Sequence, residues 1–454
     1  MLKNVIKFTA LILFLNGCND GANNTDNATS SESVEIDSVI AILDVTVINV
    51  INGESTANMT VVVQGDQITE IDSNISIPEN ATQVDGSGKY LIPGLWDMHT
   101  HHEALGKESM DLYLANGVVG TRDMGSELQF ILSLRDSINN GELLGPEIIA
   151  AGPILDDAPP EFPSRQRVSS AEEARQTVRD LQQSGIEFIK VHNLTPREVF
   201  FAIADETANL GMSFSGHVPL TVSIEEATSS GMTSIEHLSN FRVYLECAGA
   251  EAYTLPACQE SFESLAASGI WQTPTIALYQ EFPELMNGIL NDIPMSQTLS
   301  HYEFASDALL ERFETELSLG ASAQIVNFIR ANNVTSLAAI NDLRESGNQF
   351  LAGCDALVPG FCLHDELQWM TVAGLSPLEA LQTATINPAI FFGRENTQGT
   401  VEIGKRADLV LLDENPLTDI KNIRKVNAVL VRGHLISKPF IEQILESNKR
   451  PSSN

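Results

Sequence analysis

Leu91-Ile92-Pro93-Gly94-Leu95-Trp96-Asp97-Met98-His99-Thr100-His101-His102 is the stretch that decides the fold. An apolar run ends in two histidines two residues apart. Side chains at i and i+2 of a strand point to the same face, so His99 and His101 can reach one cation together. His102 then points to the opposite face and reads as structural, while Asp97 is placed to support the ligands. A His-x-His pair alone is weak evidence, and its weight depends on what ends the other strands.

Seven further strand-like runs follow: 117–124, 146–152, 186–192, 212–218, 233–238, 270–276 and 349–355. Helical patterns separate most of them, such as SAEEARQTVRDLQQSG (170–185) and TPREVFFAIADETANLG (195–211). Eight strand–helix units predict a parallel (β/α)8 barrel, whose chemistry sits at the C-terminal ends of its strands. Ligand-type residues fall there: His99 and His101 on the first strand, Lys190 on the fourth, His217 on the fifth, His237 on the sixth and Asp355 on the eighth. Four of only 9 histidines therefore sit at predicted strand ends. The stretch 277–348 is too long for a simple connection and predicts a helical lid or an interface. Ser376-Pro377-Leu378-Glu379 reads as a capping box.

Short alternating strands precede the barrel (38–72) and return after it (404–412, then NAVLVRGHLI). The two segments are expected to pack as one split β-domain. The division is residues 38–93 for its first part, 94–392 for the barrel, 393–437 for its second part, and 438–454 for a terminal helix and tail.

Composition narrows the partners. The chain has 26 Lys+Arg against 60 Asp+Glu, a formal net charge of -34. That argues against nucleic acid and anionic membrane surfaces as electrostatic partners. At the N-terminus, Lys3 and Lys7 precede the apolar run Phe8–Leu15, too short to span a bilayer. Leu15-Asn16-Gly17-Cys18 resembles a bacterial lipoprotein cleavage box. The resemblance implies a signal peptide over residues 1–17, lipidation of Cys18, an exported cell-envelope or periplasmic protein, and a membrane reached only through that lipid. Residues 18–37 read as a polar tether. Among the remaining cysteines, Cys247 with Cys258 and Cys354 with Cys362 are the local pairings of three possible ones, and spacing does not choose.

PGLWDMHTHH (93–102) resembles the first-strand motif of the amidohydrolase superfamily, and GTVEIGKRADLVLLDENPL (399–417) its C-terminal signature. FIKVHN (188–193), SGHVPL (215–220) and SIEHLSN (234–240) resemble the branch with imidazolonepropionase-like, prolidase-like and dipeptidase-like enzymes. The similarity covers residues 38 to 437. It implies a distorted (β/α)8 barrel with a small flanking β-sandwich built from the N- and C-terminal segments. It implies two divalent metal ions, zinc by ligand type, with manganese or cobalt as alternatives. His99, His101 and Asp355 would hold one ion, and His217 and His237 the second. Lys190 would bridge them as a carbon dioxide-derived carbamate, or stay unmodified beside a single metal. Asp355 would be the general base and then acid.

His192 shares a strand face with Lys190 and either touches substrate or packs near the site. Arg165, in the loop after the third strand, is a candidate grip for a substrate carboxylate. Asp123 orients a ligand or closes a turn. His364 either supports a ligand residue from behind or faces solvent, and His301 and His434 are expected at the surface. The function this implies is hydrolysis of an amide or peptide-like C–N bond in a small dipeptide or N-acyl amino acid. The alternatives are a mononuclear hydrolase of a cyclic amide or lactone, and a non-catalytic binding lipoprotein. A homo-oligomer is compatible with all of them.

Overall fold

The structure, a computed structural model, describes residues 39–157, 164–249, 252–355 and 357–451. The signal peptide, Cys18 and the tether lie outside the described residues. Among the described residues, no helix is long and apolar enough to cross a membrane.

Eight parallel strands form the barrel: Leu95–Thr100, Val118–Asp123, Glu147–Ala150, Phe188–Val191, Ser213–Gly216, Ser234–Glu236, Trp271–Thr273 and Gln349–Phe350. Ladder pairing breaks twice, which distorts the ring. Isolated hydrogen bonds bridge both gaps. Glu187 N–H donates to Ala150 O (3.2 Å) between strands three and four, and Met98 N–H to Ala352 O (2.8 Å) between strands one and eight. Each expected strand is present but shorter than its apolar run. The chain leaves the ladder where its ligand residue begins, so His101, His217, His237 and Asp355 stand just past their strands.

Two departures follow from local pairing. The loop after the third strand contains strands Ile154–Asp156 and Arg165–Arg167, which pair with each other in parallel. Leu155 also pairs with Val191 at the end of the fourth strand, which fixes this excursion against the barrel rim. Farther on, the run 270–276 stops being strand at Thr273, because Thr275 turns to φ 48° and caps a helix from Ile276 to Leu290.

The long insertion is helical, with Ile276–Leu290, Asp307–Gly320 and Ala323–Glu345 packed through Leu285, Phe313, Leu309 and Ile329. The two helical patterns form Ala171–Gln183, capped by Ser170, and Arg197–Leu210, ended by left-handed Gly211. The capping box at Ser376 forms, with Glu379 answering Ser376. Both local cysteine pairs are disulfides, Cys247–Cys258 and Cys354–Cys362.

The N- and C-terminal β segments hydrogen-bond as one eight-stranded sheet. The seam is Tyr90–Pro93 against Leu409–Leu412, antiparallel, with Leu91 opposite Leu411 and Ile92 opposite Val410. Alternation gives the sheet two apolar faces. Leu91, Leu409, Leu411 and Leu430 join Ile40, Ile42, Val61 and Val63 in a separate small core. Ile92, Val410, Leu412 and Val429 face the barrel core instead. The sheet is thus fastened to the barrel by every second residue of its seam.

Candidate metal centre

Four imidazoles and one carboxylate meet at the C-terminal mouth of the barrel. Asp355 is the hub. Its Oδ1 lies 3.3 Å from His101 Nε2, and its Oδ2 lies 3.4 Å from His237 Nε2 and 4.0 Å from His99 Nε2. His99, His101 and Asp355 offer ligand atoms within 4.8 Å of one another, the geometry of a cation site. His217 adjoins His237, with ring centroids 4.7 Å apart.

The other nitrogen of each ring has its own partner. His99 Nδ1 meets Glu236 Oε2 at 2.7 Å, and His101 Nδ1 donates to Gly125 O at 2.9 Å. His217 Nδ1 meets Asn193 Oδ1 at 3.0 Å, and His237 Nδ1 meets Thr275 Oγ1 at 2.6 Å. Tying Nδ1 in this way leaves the Nε2 lone pairs for a ligand. Burial, the largest influence on all four, holds them in the neutral form: His99, His101 and His217 lie well below the ordinary histidine range, and His237 is pushed down to about 3. His99 Nε2 is fully buried with no hydrogen-bond partner. A buried acceptor without a donor is costly, and a divalent cation satisfies it. The residues present therefore fit a metal.

Two buried elements place Asp355. Its N–H donates to His99 O at 2.6 Å, and its backbone sits at φ 64°. Its predecessor Cys354 is tied to Cys362, and Cys354 N–H donates to Asp97 Oδ1 at 3.1 Å. Asp97 Oδ1 also accepts from His99 N–H at 3.1 Å, so this carboxyl joins strands one and eight. Asp97, Cys354 and Cys362 cluster as a second group of ligand-type residues, but the two sulfurs are bonded to each other and offer no thiolate.

Lys190 is buried on the fourth strand, where burial lowers its ammonium to about 8 despite the carboxylates of Glu236 and Asp355. A Cβ on Gly216 would lie 3.0 Å from Lys190 Cδ and 2.2 Å from Val191 O, so the bare glycine admits the side chain. His192 stacks on His217 with ring centroids 4.0 Å apart, and its Nδ1 lies 3.2 Å from Asp156 Oδ2. Arg165 donates from Nη1 to that same oxygen at 3.1 Å, so the arginine stands next to His192 at the rim.

Comparison with known proteins agrees with this geometry. The family model described as "Amidohydrolase family" matches residues 90–436. The chain belongs to the amidohydrolase family. Among curated relatives, ochratoxinase of Aspergillus niger is 23% identical, over 83% of this chain and 82% of the relative. Imidazolonepropionase of Thermoplasma volcanium is 24% identical, over 84% and 90%. A solved Xaa-Pro dipeptidase with bound methionine in its active site superposes with TM-score 0.67 at 20% identity, covering 88% of this chain and 100% of that one. This amidohydrolase is a hydrolase of carbon–nitrogen bonds, and its family is generally metal-dependent.

Some residues of the amidohydrolase behave otherwise than expected. His301 is half-buried rather than at the surface; its Nε2 meets Asp365 Oδ2 at 2.8 Å and its ring stacks on Phe361. His434 is likewise half-buried. His364 is neither solvent-facing nor beside the ligands: it is buried and its Nε2 donates to Asn116 O at 2.9 Å. His102 is structural as expected, with Nε2 2.9 Å from Thr121 Oγ1. Asp123 does both tasks at once. It accepts from Gly125 N–H and Ser126 Oγ, closing the turn whose carbonyl holds His101.

Sequence reading missed Glu236, Arg122 and Tyr279. Arg122 is fully buried and donates from Nη2 to Glu236 Oε1 at 2.9 Å. Strand alternation was the available signal for Glu236, since Ile235 packs outward in the core and its neighbour must point into the barrel. Tyr279 donates its hydroxyl to Asn240 Oδ1 at 2.7 Å, beside His237. It lies in the insertion helix, where no pattern marks it.

Proposed function

We propose that this amidohydrolase cleaves the amide or peptide-like C–N bond of a small carboxylated substrate, of dipeptide or N-acyl amino acid type. The observation that carries the reading is the meeting of three imidazoles, His99, His101 and His237, on Asp355, with His217 against His237 and every Nδ1 engaged. His99, His101 and Asp355 would hold one divalent ion and His217 with His237 a second, zinc by ligand type, with Lys190 bridging as a carbamate. When bound, such ions polarise the scissile carbonyl and make water acidic enough to attack near neutral pH.

The chain's own residues do the rest. Asp355 is 17% exposed in its side chain and faces the opening, so it takes the proton of the attacking water and returns it to the leaving nitrogen. Arg165, 12% exposed and set beside His192, is placed to grip the substrate carboxylate. The name of the Xaa-Pro dipeptidase neighbour supports a dipeptide. The imidazolonepropionase relative supports a second reading, a mononuclear hydrolase of a cyclic amide.

Elemental mass spectrometry of purified protein, supplied with zinc and bicarbonate, separates these. Two ions per chain, falling in Lys190→Ala, fit the bridged centre; hydrolysis of dipeptides or N-acyl amino acids must accompany it. One ion, unchanged in Lys190→Ala, moves the assignment to the cyclic substrate. No ion in folded protein would leave only a binding role.

We also infer export and anchoring through a lipidated Cys18. Two disulfides suit an oxidising compartment and support this. Fatty-acid labelling that persists in Cys18→Ser would refute the anchor.

A further inference from the structure

We propose that Glu236 is a positioning residue that fixes the tautomer of His99, and thereby sets the affinity of the His99–His101–Asp355 group for a divalent cation. The inference rests on the metal reading above.

A neutral imidazole carries one N–H, and only its partners decide which nitrogen holds it. Glu236 Oε2 stands 2.7 Å from His99 Nδ1. Its other oxygen, Oε1, accepts from Arg122 Nη2 at 2.9 Å and from Ser234 Oγ at 2.5 Å. With Oε1 taken by two donors, Oε2 presents an acceptor to His99, so the proton belongs on Nδ1. The lone pair of Nε2 is then directed at the Asp355 side of the centre, where it has no other partner.

Arg122 makes the arrangement one-way. Its Nε donates to Met98 O at 2.7 Å and its Nη1 to Ser234 Oγ at 3.0 Å, so the guanidinium cannot swing aside. It lies between the rings of Phe391 (5.1 Å) and Phe188 (5.7 Å). Arg122, Ser234, Glu236 and His99 are all fully buried, out of reach of bulk solvent. An arginine has only donors to offer. Whatever stands at position 236 must turn an acceptor toward it.

That asymmetry makes Glu236→Gln more than a mild change. An amide has one oxygen. Arg122 claims it, and the NH2 group then faces His99 Nδ1. His99 must accept there and carry its proton on Nε2, the nitrogen that would bind the cation. In Arg122→Met/Glu236→Gln the constraint is gone. The amide can turn its oxygen to His99 and its NH2 to the Ser234 hydroxyl, which accepts, and the Nδ1–H tautomer returns.

Two measurements test this on the full chain. The first is 15N chemical shift assignment of the histidines in metal-free protein. The second is zinc affinity by competition with a chromophoric chelator. Wild-type protein is expected to show His99 protonated on Nδ1. Glu236→Gln should show it on Nε2 and lose roughly 10- to 100-fold in affinity at one site, the scale of lost outer-shell partners. The double variant should recover most of that loss, whereas a merely structural role makes it as poor as the single variant or worse. His99 protonated on Nε2 in the wild type overturns the proposal without any variant having to fold. So does an unchanged zinc affinity in folded Glu236→Gln. If wild-type protein binds no zinc, the metal reading fails, while the tautomer spectrum still decides the role of Glu236.

Discussion

Cys354–Cys362 is the disulfide whose loss should reach the active centre, and Cys247–Cys258 is its control. The first closes a short loop, with a sequence separation of 8, that begins at the residue before Asp355. The second has a separation of 11 and lies behind the barrel rim, between helices Arg242–Ala248 and Leu255–Ser268. Chain-entropy reasoning gives roughly 2.5 kcal/mol for the first loop and roughly 2.8 kcal/mol for the second, at 25 °C. On stability alone, removing either pair by paired Cys→Ala substitution should look alike. Activity should not. Asp355 holds φ 64°, and beyond its own N–H bond to His99 the neighbouring tether is Cys354, fixed to both Asp97 and Cys362. Carboxylate misplacement of an ångström at such a centre costs about 100-fold. The expected result is a fall of that order in kcat/KM for Cys354→Ala/Cys362→Ala, with bound metal reduced. For Cys247→Ala/Cys258→Ala the expected change is less than about threefold. Urea unfolding and steady-state hydrolysis on the same preparations give both numbers. Equal activity in the two variants, at equal loss of stability, would show that the 354–362 bond does not hold Asp355.

A methyl group added at Gly353 would meet His99 Cβ at 2.7 Å and Thr273 Cγ2 at 2.9 Å. Gly353→Ala should therefore destabilise by about 1–3 kcal/mol and displace His99, read as lost zinc binding; full zinc affinity would contradict that packing. Burial raises the carboxyl of Glu366 from 4.5 to about 8, so its contribution is full below pH 4.5 and fades as pH rises toward 8. Glu366→Gln keeps an acceptor for Ala277 N–H and removes the titration. Its stability relative to wild type should rise by about 1.4 kcal/mol per pH unit across that window, and parallel urea midpoints at pH 5.5 and 8 would count against it. Arg165→Met should raise KM for carboxylated substrates about tenfold, the effect of one charge-assisted contact, and leave neutral amides unaffected. Unchanged KM for both classes removes Arg165 from substrate recognition.

The barrel and its ligand ends were legible because both follow from periodicity. Strand alternation couples His99 to His101, and the strand–helix rhythm brings Lys190, His217, His237 and Asp355 to one rim. What escaped depends on distance in the chain. Arg122 and Glu236 are 114 residues apart, and each alone is a charged residue in a strand, with nothing local to announce a buried pair. The strands Ile154–Asp156 and Arg165–Arg167 read as loop because they are three residues each and are defined by pairing with each other and, at Leu155, with Val191, not by their own composition. The helix start at Ile276 escaped for the opposite reason. Its neighbours are β-prone, and a single left-handed residue, Thr275, overrides them. Spacing did not choose among the three cysteine pairings; packing brings each local pair to Cα separations of 5.0 and 5.7 Å.

The seam between Tyr90–Pro93 and Leu409–Leu412 has a consequence for how the molecule is made. A ribosome delivers the first of these strands more than three hundred residues before the second. Throughout that interval the early strand has an open edge carrying Leu91 and Ile92, both destined for full burial. The barrel can assemble meanwhile, yet the part of its core that Val410, Leu412 and Val429 cover stays open until those residues emerge. Nascent chains released before Leu412 should therefore be clients for chaperones or proteases, however complete their catalytic residues. Completion of this enzyme is timed by its least chemical part.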